Sequence, residues 1–204
     1  VLRDRMSKAV KFLFLGTRDE APESFRVWIR NTRSKPEFQN MGYDFCTILH
    51  LDRAGEWGED SAEWHQLSEE LKFETRWTSP DSKKEASHAE RTVGIAEVVT
   101  KCLLLQRALH HAWWVRCAKA AQFLLNHFPS TTTTATMPTD GDQARPLEIL
   151  TGGYVSRRQC DRELSYFLAP GTPALVHDHK AKGSQMDRLK SSWKIAWGMY
   201  REQV

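Results

Sequence analysis

No run of about 18 apolar residues free of charge occurs in this 204-residue chain, so no segment reads as a membrane-spanning helix. The N-terminus lacks the basic start and apolar stretch of a secretory signal, and its first residue, Val1 rather than Met, is what an internal piece of a longer chain would show. Cysteine is sparse: Cys46, Cys102, Cys117 and Cys160 form no C-x-x-C pair, so free and mostly buried thiols are expected rather than a disulfide framework. His110-His111 and His177-x-His179 have no complementary Cys or His at zinc spacing, which leaves them as surface or core histidines. A Walker-type loop, a dinucleotide fingerprint and a G-x-S-x-G elbow are all missing, which removes the signals for the commonest nucleotide-binding and acyl-transfer chemistries.

What is present is enough apolar material for one sizeable core, with 40% hydrophobic and 27% charged residues. The net charge of +3 is uneven. Residues 145–204 hold ten Lys/Arg against six Asp/Glu, whereas residues 1–144 hold nineteen against twenty. A mildly basic tail permits contact with a polyanion without requiring it.

Periodicity sketches the elements. "AVKFLFL" (9–15) is a nearly continuous apolar run with aromatics, suited to a largely buried strand, and Val1-Leu2 ahead of the polar turn "RDRMSK" reads as the end of a strand paired with it. Thr17 and Glu20 have capping-box spacing, and Phe25, Trp28, Ile29 and Thr32 then lie on one helical face, with Pro22 tolerated near the first turn. "NTRSKPEFQNMGYD" reads as a loop. "FCTILHLD" (45–52) is apolar on both faces and reads as a central strand ended by Asp52. Asp60 and Glu63 suggest a cap before a helix bearing Trp64, Leu67 and Leu71, and "KFETRW" (72–77) reads as a short strand.

Next comes the polar stretch "SPDSKKEASHAER" (79–91), read as a loop that feeds a helix from about Ser87 to Leu109 with Val93, Ala96, Val99 and Leu103 on its stripe. "HAWWVRCAKAAQFLLNHF" (111–128) predicts a further amphipathic helix stopped by Pro129, with Trp113 and Trp114 as core anchors. A polar, Thr/Pro-rich linker follows at 130–144, and "PLEILTGGYVSRR", "PALVHD" and "WKIAWGMY" suggest a small appendix of a few strands across 145–204. Strands alternating with helices give an α/β class, a mixed sheet flanked by helices.

An acid at the end of a central strand is well placed for metal chemistry, because a strand terminus is rigid and opens onto a crevice. Asp52 is such an acid. A second carboxylate from the start of a helix could complete a hard-oxygen site for Mg²⁺, and two such ions roughly 3.5–4 Å apart support phosphoryl transfer. Glu90 is the candidate, although Ser87 and Glu90 also have the spacing of a capping box, in which Glu90 would only satisfy a backbone N–H.

"ILHLDRAGEW", the 37 residues between Asp52 and Glu90, and "TSPDSKKEASHAER" resemble the end of the catalytic core of a retroviral-type integrase, most nearly the copia-type retrotransposon branch. In that family a strand ends in a phrase similar to S-D-N-G-G-E-F, and a loop similar to S-P-Y-x-P-Q-Q-N-G-V-A-E-R leads into a helix. Asp52, Gly55, Glu56 and Trp57 match the first phrase, and Ser79, Pro80, Ala89, Glu90 and Arg91 match the second. "KCLLLQRALHHAWWVRCAKAAQFLLNHFP" is similar to the family's helix pair closing in N-x-x-P, and "RPLEILTGG" and "GTPALVH" to its post-core segment.

The resemblance implies an RNase H-like core over residues 1–129, with the family's first strand, and its catalytic Asp, upstream of Val1. It also implies Mg²⁺ or Mn²⁺ bound by Asp52 and Glu90, and joining of element DNA ends to target DNA. A homo-oligomer acting inside the cell, in the nucleus at the integration step, is implied as well. Asp4 falls in the turn after the family's second strand and is not expected as a ligand. The chain departs from the pattern where Arg53-Ala54 replaces Asn-Gly and "KEASH" (84–88) replaces Gln-Gln-Asn-Gly-Val. Those changes remove glycines and neutral amide donors, and leave Arg53, Lys83, Lys84, His88 and Arg91 as candidate phosphate contacts of the non-specific, salt-sensitive kind. A catalytically inactive nucleic-acid-binding or oligomerisation module of the same fold therefore stands as the alternative, and a nuclease of that fold as a third.

Overall fold

The computed structural model describes residues 1–39, 45–51, 61–77, 83–129, 144–177 and 193–197, with the backbone alone at 83–89, 173–177 and 193–197. The described residues form a mixed α/β structure that is mostly helical. Their strands make three separate two-stranded sheets rather than the single mixed sheet expected. The Asp52 and Arg53 positions and the Thr/Pro-rich segment 130–143 lie outside the described residues.

β1 (Leu2–Arg3) and β2 (Val10–Lys11) pair antiparallel, with Leu2 opposite Lys11. The polar turn between them is held by Asp4, whose Oδ2 accepts from the Met6 N–H (3.1 Å), the Ser7 N–H (2.6 Å) and the Ser7 hydroxyl (2.7 Å). That carboxylate is committed to the turn, as its place in the sequence suggested. β2 is far shorter than the run 9–15 predicts. Beyond Lys11 the apolar residues serve as packing groups rather than ladder members.

After a 3₁₀ turn at Arg18–Glu20 comes α1 (Ala21–Arg33), with Pro22 in its first turn. Glu20 does not close a box with the Thr17 side chain; its carboxylate accepts from the Gly16 N–H at 2.8 Å. Phe25, Ile29 and Thr32 are buried as the spacing predicts. Part of the expected loop is the short helix α2 (Pro36–Gln39). β3 (Ile48–Leu51) runs parallel to β4 (Glu74–Trp77), joined through α3 (Ala62–Leu71), whose Trp64, Leu67 and Leu71 are buried. β3 alternates exposed Ile48 and His50 with buried Leu49 and Leu51, so it has one covered face, not two. Arg33 fastens this unit by donating to the carbonyls of Phe45 (3.0 Å) and Leu71 (2.7 Å).

α4 (Lys83–Gln106) and α5 (Trp114–His127) form a helical hairpin. Ala108 takes a left-handed conformation (φ 49°) to close α4, and Gly171 (φ 79°) sits so near that an added Cβ would lie 2.6 Å from Leu109 Cδ2. "PLEIL" is helical rather than extended: α6 (Pro146–Leu150) starts with Pro146 in its first turn, and the Arg145 N–H donates to Glu148 Oε2 at 3.3 Å. α6 and α7 (Arg157–Ser165) both pack on α5. β5 (Pro173–His177) and β6 (Trp193–Trp197) pair antiparallel, as two of the predicted strands.

Two hydrophobic clusters result. One gathers Phe25, Ile29, Leu49, Leu51, Trp64, Leu67 and Phe73 between α1, α3 and the β3/β4 pair. The other gathers Val10, Phe12, Ala96, Leu103, Cys117, Ala118, Ala120 and Ala121 between β2 and the α4/α5 hairpin.

Candidate nucleic-acid interface

The two parallel strands end level: Leu51 is the partner of Trp77, so the chain leaves β3 and β4 at the same edge of their sheet. Asp52 follows Leu51 directly, and the segment after Trp77 leads to α4. This is the end at which parallel strands present functional side chains.

From Lys83 onward the polar stretch is helix and not the loop that the sequence suggests. Lys83 to Glu90 are already helical, so Glu90 stands about two turns inside α4 and Ser87 cannot be its N-cap partner. That removes the capping-box reading. Lys, Glu and Ala are strong helix formers, and "KKEASHAE" is rich in them, which is why the backbone winds early. Glu90 is exposed on the helix, and so is its neighbour Arg91.

By the helical repeat, positions 84, 88 and 91 share one face of α4, so Lys84, His88 and Arg91 are aligned as a basic stripe, while 83 and 90 lie on another. Arg53 cannot be added to it from the described residues. The sequence did not single out Arg3, on β1. α4 packs against that strand, and the Arg3 guanidinium is held below its usual basicity by burial and by the nearby Arg91. The two guanidiniums therefore lie near enough to repel one another. Only the antiparallel hairpin, which returns β1 to α4, could have revealed this neighbour.

Trp113 is half-buried against the second cluster, whereas Trp114 is exposed and meets Phe14 edge-on at 5.7 Å. Arg116 lies over the Trp113 ring at 5.3 Å. Cys117 and Cys160 are buried, and Cys102 is exposed.

Among the described residues no three His, Cys, Asp or Glu side chains gather closely enough to hold a metal ion. Glu90 alone does not make a site for Mg²⁺ or Mn²⁺, and its expected partner Asp52 lies outside the described residues. No helix of the described residues is long and apolar enough to cross a membrane. Comparison with protein-family models, with curated proteins and with solved structures finds no match to this chain.

A second feature of this region is the treatment of the β2 edge. Gln122 and Asn126, one turn apart on α5, act as a substitute strand. Gln122 Oε1 accepts from the Phe12 N–H (2.7 Å), Asn126 Oδ1 accepts from the Val10 N–H (2.8 Å), and Asn126 Nδ2 donates to the Val10 carbonyl (2.9 Å). Four helical residues rise about 6 Å and two strand residues about 6.8 Å, so the spacings match closely enough for both amides to reach.

Proposed function

We propose that the chain is part of the catalytic core of an integrase similar to those of copia-type retrotransposons, a polynucleotidyl transferase that joins DNA ends to target DNA. The observation that carries the reading is topological: an Asp directly after β3 and a Glu on the helix after its parallel partner β4, with the two strand ends level. In this reading Asp52 and Glu90 supply two of three carboxylates for Mg²⁺ or Mn²⁺. A further strand, from outside residues 1–204, completes an RNase H-like sheet in this reading and brings the third carboxylate. DNA phosphates lie along Lys84, His88 and Arg91, with Arg3 alongside. Lys83 and Arg53 flank that path, and the working form is a homo-oligomer.

The early start of α4 favours a second reading. A helix in place of the glycine-containing loop of the family pattern is stiffer where a strand transferase must move over DNA, so the chain would bind nucleic acid without reacting with it. A strand-transfer assay on the chain extended upstream separates the two. Product formation that Asp52→Asn and Glu90→Gln each abolish supports the transferase. Absence of joining, with DNA binding retained, leaves the binding module. Binding itself is tested by fluorescence anisotropy across salt concentrations: Arg91→Ala should weaken it and lower the salt slope by about one. Binding unchanged in that variant would rule out the basic stripe.

A further inference from the structure

α4 places its aliphatic side chains against expectation. The positions facing the core over its described length include Thr92, Ala96 and Leu103, while Ile95 is 45% exposed, Val98 59% and Leu105 80%, and Cys102 is exposed with them. A solvated helix normally puts its large aliphatics inward and its small or polar residues outward. Val93 is exposed off this line, at 38%, whereas Ile95, Val98, Cys102 and Leu105 recur at i, i+3, i+7 and i+10, a 3-4-3 spacing. That is the seam of a helix that meets another helix, narrower than the face of a helix resting on a globular core.

We propose that this seam pairs with the same seam of a second copy of the chain, the two α4 helices running antiparallel about a two-fold axis near residue 100. The spacing is its own complement in that arrangement: Ile95 meets Leu105 of the other copy, and Val98 meets Cys102. A two-fold interface requires such self-complementarity.

Charge selects the direction. The same stripe continues N-terminally through positions 91, 88 and 84, which are Arg, His and Lys. A parallel pair in register would set each of these against its own copy. The antiparallel pair separates the two Arg91 positions by about 27 Å along the axis, at 1.5 Å per residue. On the outer flank Lys101 is neutralised within its own chain by Glu97, at 3.5 Å.

The seam is about 15 Å long, shorter than a standard interface of roughly 800 Å² per partner requires, so the dimer should be concentration-dependent. The inference stands on α4 alone and does not depend on catalysis; it specifies which surface would make the oligomer.

The test uses the whole chain. Sedimentation velocity over a concentration series should show a monomer–dimer equilibrium for the parent chain, and Val98→Lys/Leu105→Lys should remain monomeric throughout. Unchanged circular dichroism and melting would show that the variant still folds. For direction, Ile95→Cys/Leu105→Cys is made in a Cys102→Ser background and oxidised. Ten helical residues separate these positions within one chain, about 15 Å, too far for an internal disulfide. A covalent dimer on non-reducing electrophoresis, with none from the oxidised parent chain, is the expected result. A parent chain that is monomeric at every concentration overturns the proposal. So does a dimer that survives the double lysine change, or one that cross-links through Cys102 alone, which would place identical residues opposite one another.

Discussion

The two hydrophobic clusters are built from different materials. Around α1 and α3 the interior is aromatic: Phe25 lies 5.6 Å from the Trp28 ring, 5.8 Å from Trp64 and 5.6 Å from Phe73, all tilted or edge-on. Between α4 and α5 the fully buried residues are Cys117, Ala120 and Ala121. Large rings fill space between elements held apart, whereas small residues let helices and strand approach closely. The first cluster is therefore sensitive to losing volume and the second to gaining it.

That contrast can be broken deliberately. The largest effect is expected from Phe25→Ala, about 3–5 kcal/mol of lost stability by denaturant unfolding, since the ring is 1% exposed and three neighbours pack on it. Ala121→Leu should cost about 1–3 kcal/mol for the opposite reason, steric overfilling. If Ala121→Leu were neutral while Phe25→Ala was severe, the second cluster would be looser than its burial implies. Of similar or smaller size is Asn126→Ala, which leaves the Val10 N–H and carbonyl without their side-chain partners and should cost about 1–3 kcal/mol. Amide exchange at Val10 should accelerate with it, and protection unchanged from the parent chain would rule the bond out as a stabiliser.

Smaller, and of opposite sign, are glycine substitutions at two helix ends. Lys72 (φ 53°) closes α3 in the first region and Ala108 (φ 49°) closes α4 in the second. Either change to Gly should raise stability by about 1 kcal/mol by relieving the left-handed conformation.

One effect is absent at neutral pH and appears only in alkaline solution. Burial pushes the Cys46 thiol up to about 11, outweighing Arg33, which acts to lower it. The unfolded thiol ionises near 8.5, so the folded chain holds the proton more tightly. Stability from this source is present below about 8.5 and is lost as pH rises toward about 11. The gap in unfolding midpoint between the parent chain and Cys46→Ala should narrow over that window; a constant gap would contradict it.

Much of the first region was legible in the sequence. The buried faces of α1 and α3 follow from Phe25, Ile29, Trp64 and Leu67 at helical spacing, and β4 from the compact run "KFETRW". The second region was less so. The start of α4 hid behind its polarity, because a stretch rich in Lys and Glu reads as solvent-exposed loop although those residues favour helix. "PLEIL" is short and apolar, a pattern that fits strand and helix equally, and the deciding signs were Pro146 at the first turn and Glu148 just after it. The pairing of Arg3 with Arg91, and of Gln122 and Asn126 with β2, depends on tertiary register and has no local signature. As for the candidate site, Glu90 and Arg91 were recognisable as residue types, but their place two turns inside a helix was not.

The two amides on α5 also determine how this protein can grow. An unpaired strand edge is a template on which any extended chain can add, and repeated addition makes a fibre. Gln122 and Asn126 end that series on one side by presenting side-chain groups where the next backbone would dock, on a helix that offers no edge of its own. Among the described residues, an extended segment approaching the β2 side of the hairpin therefore meets a terminus.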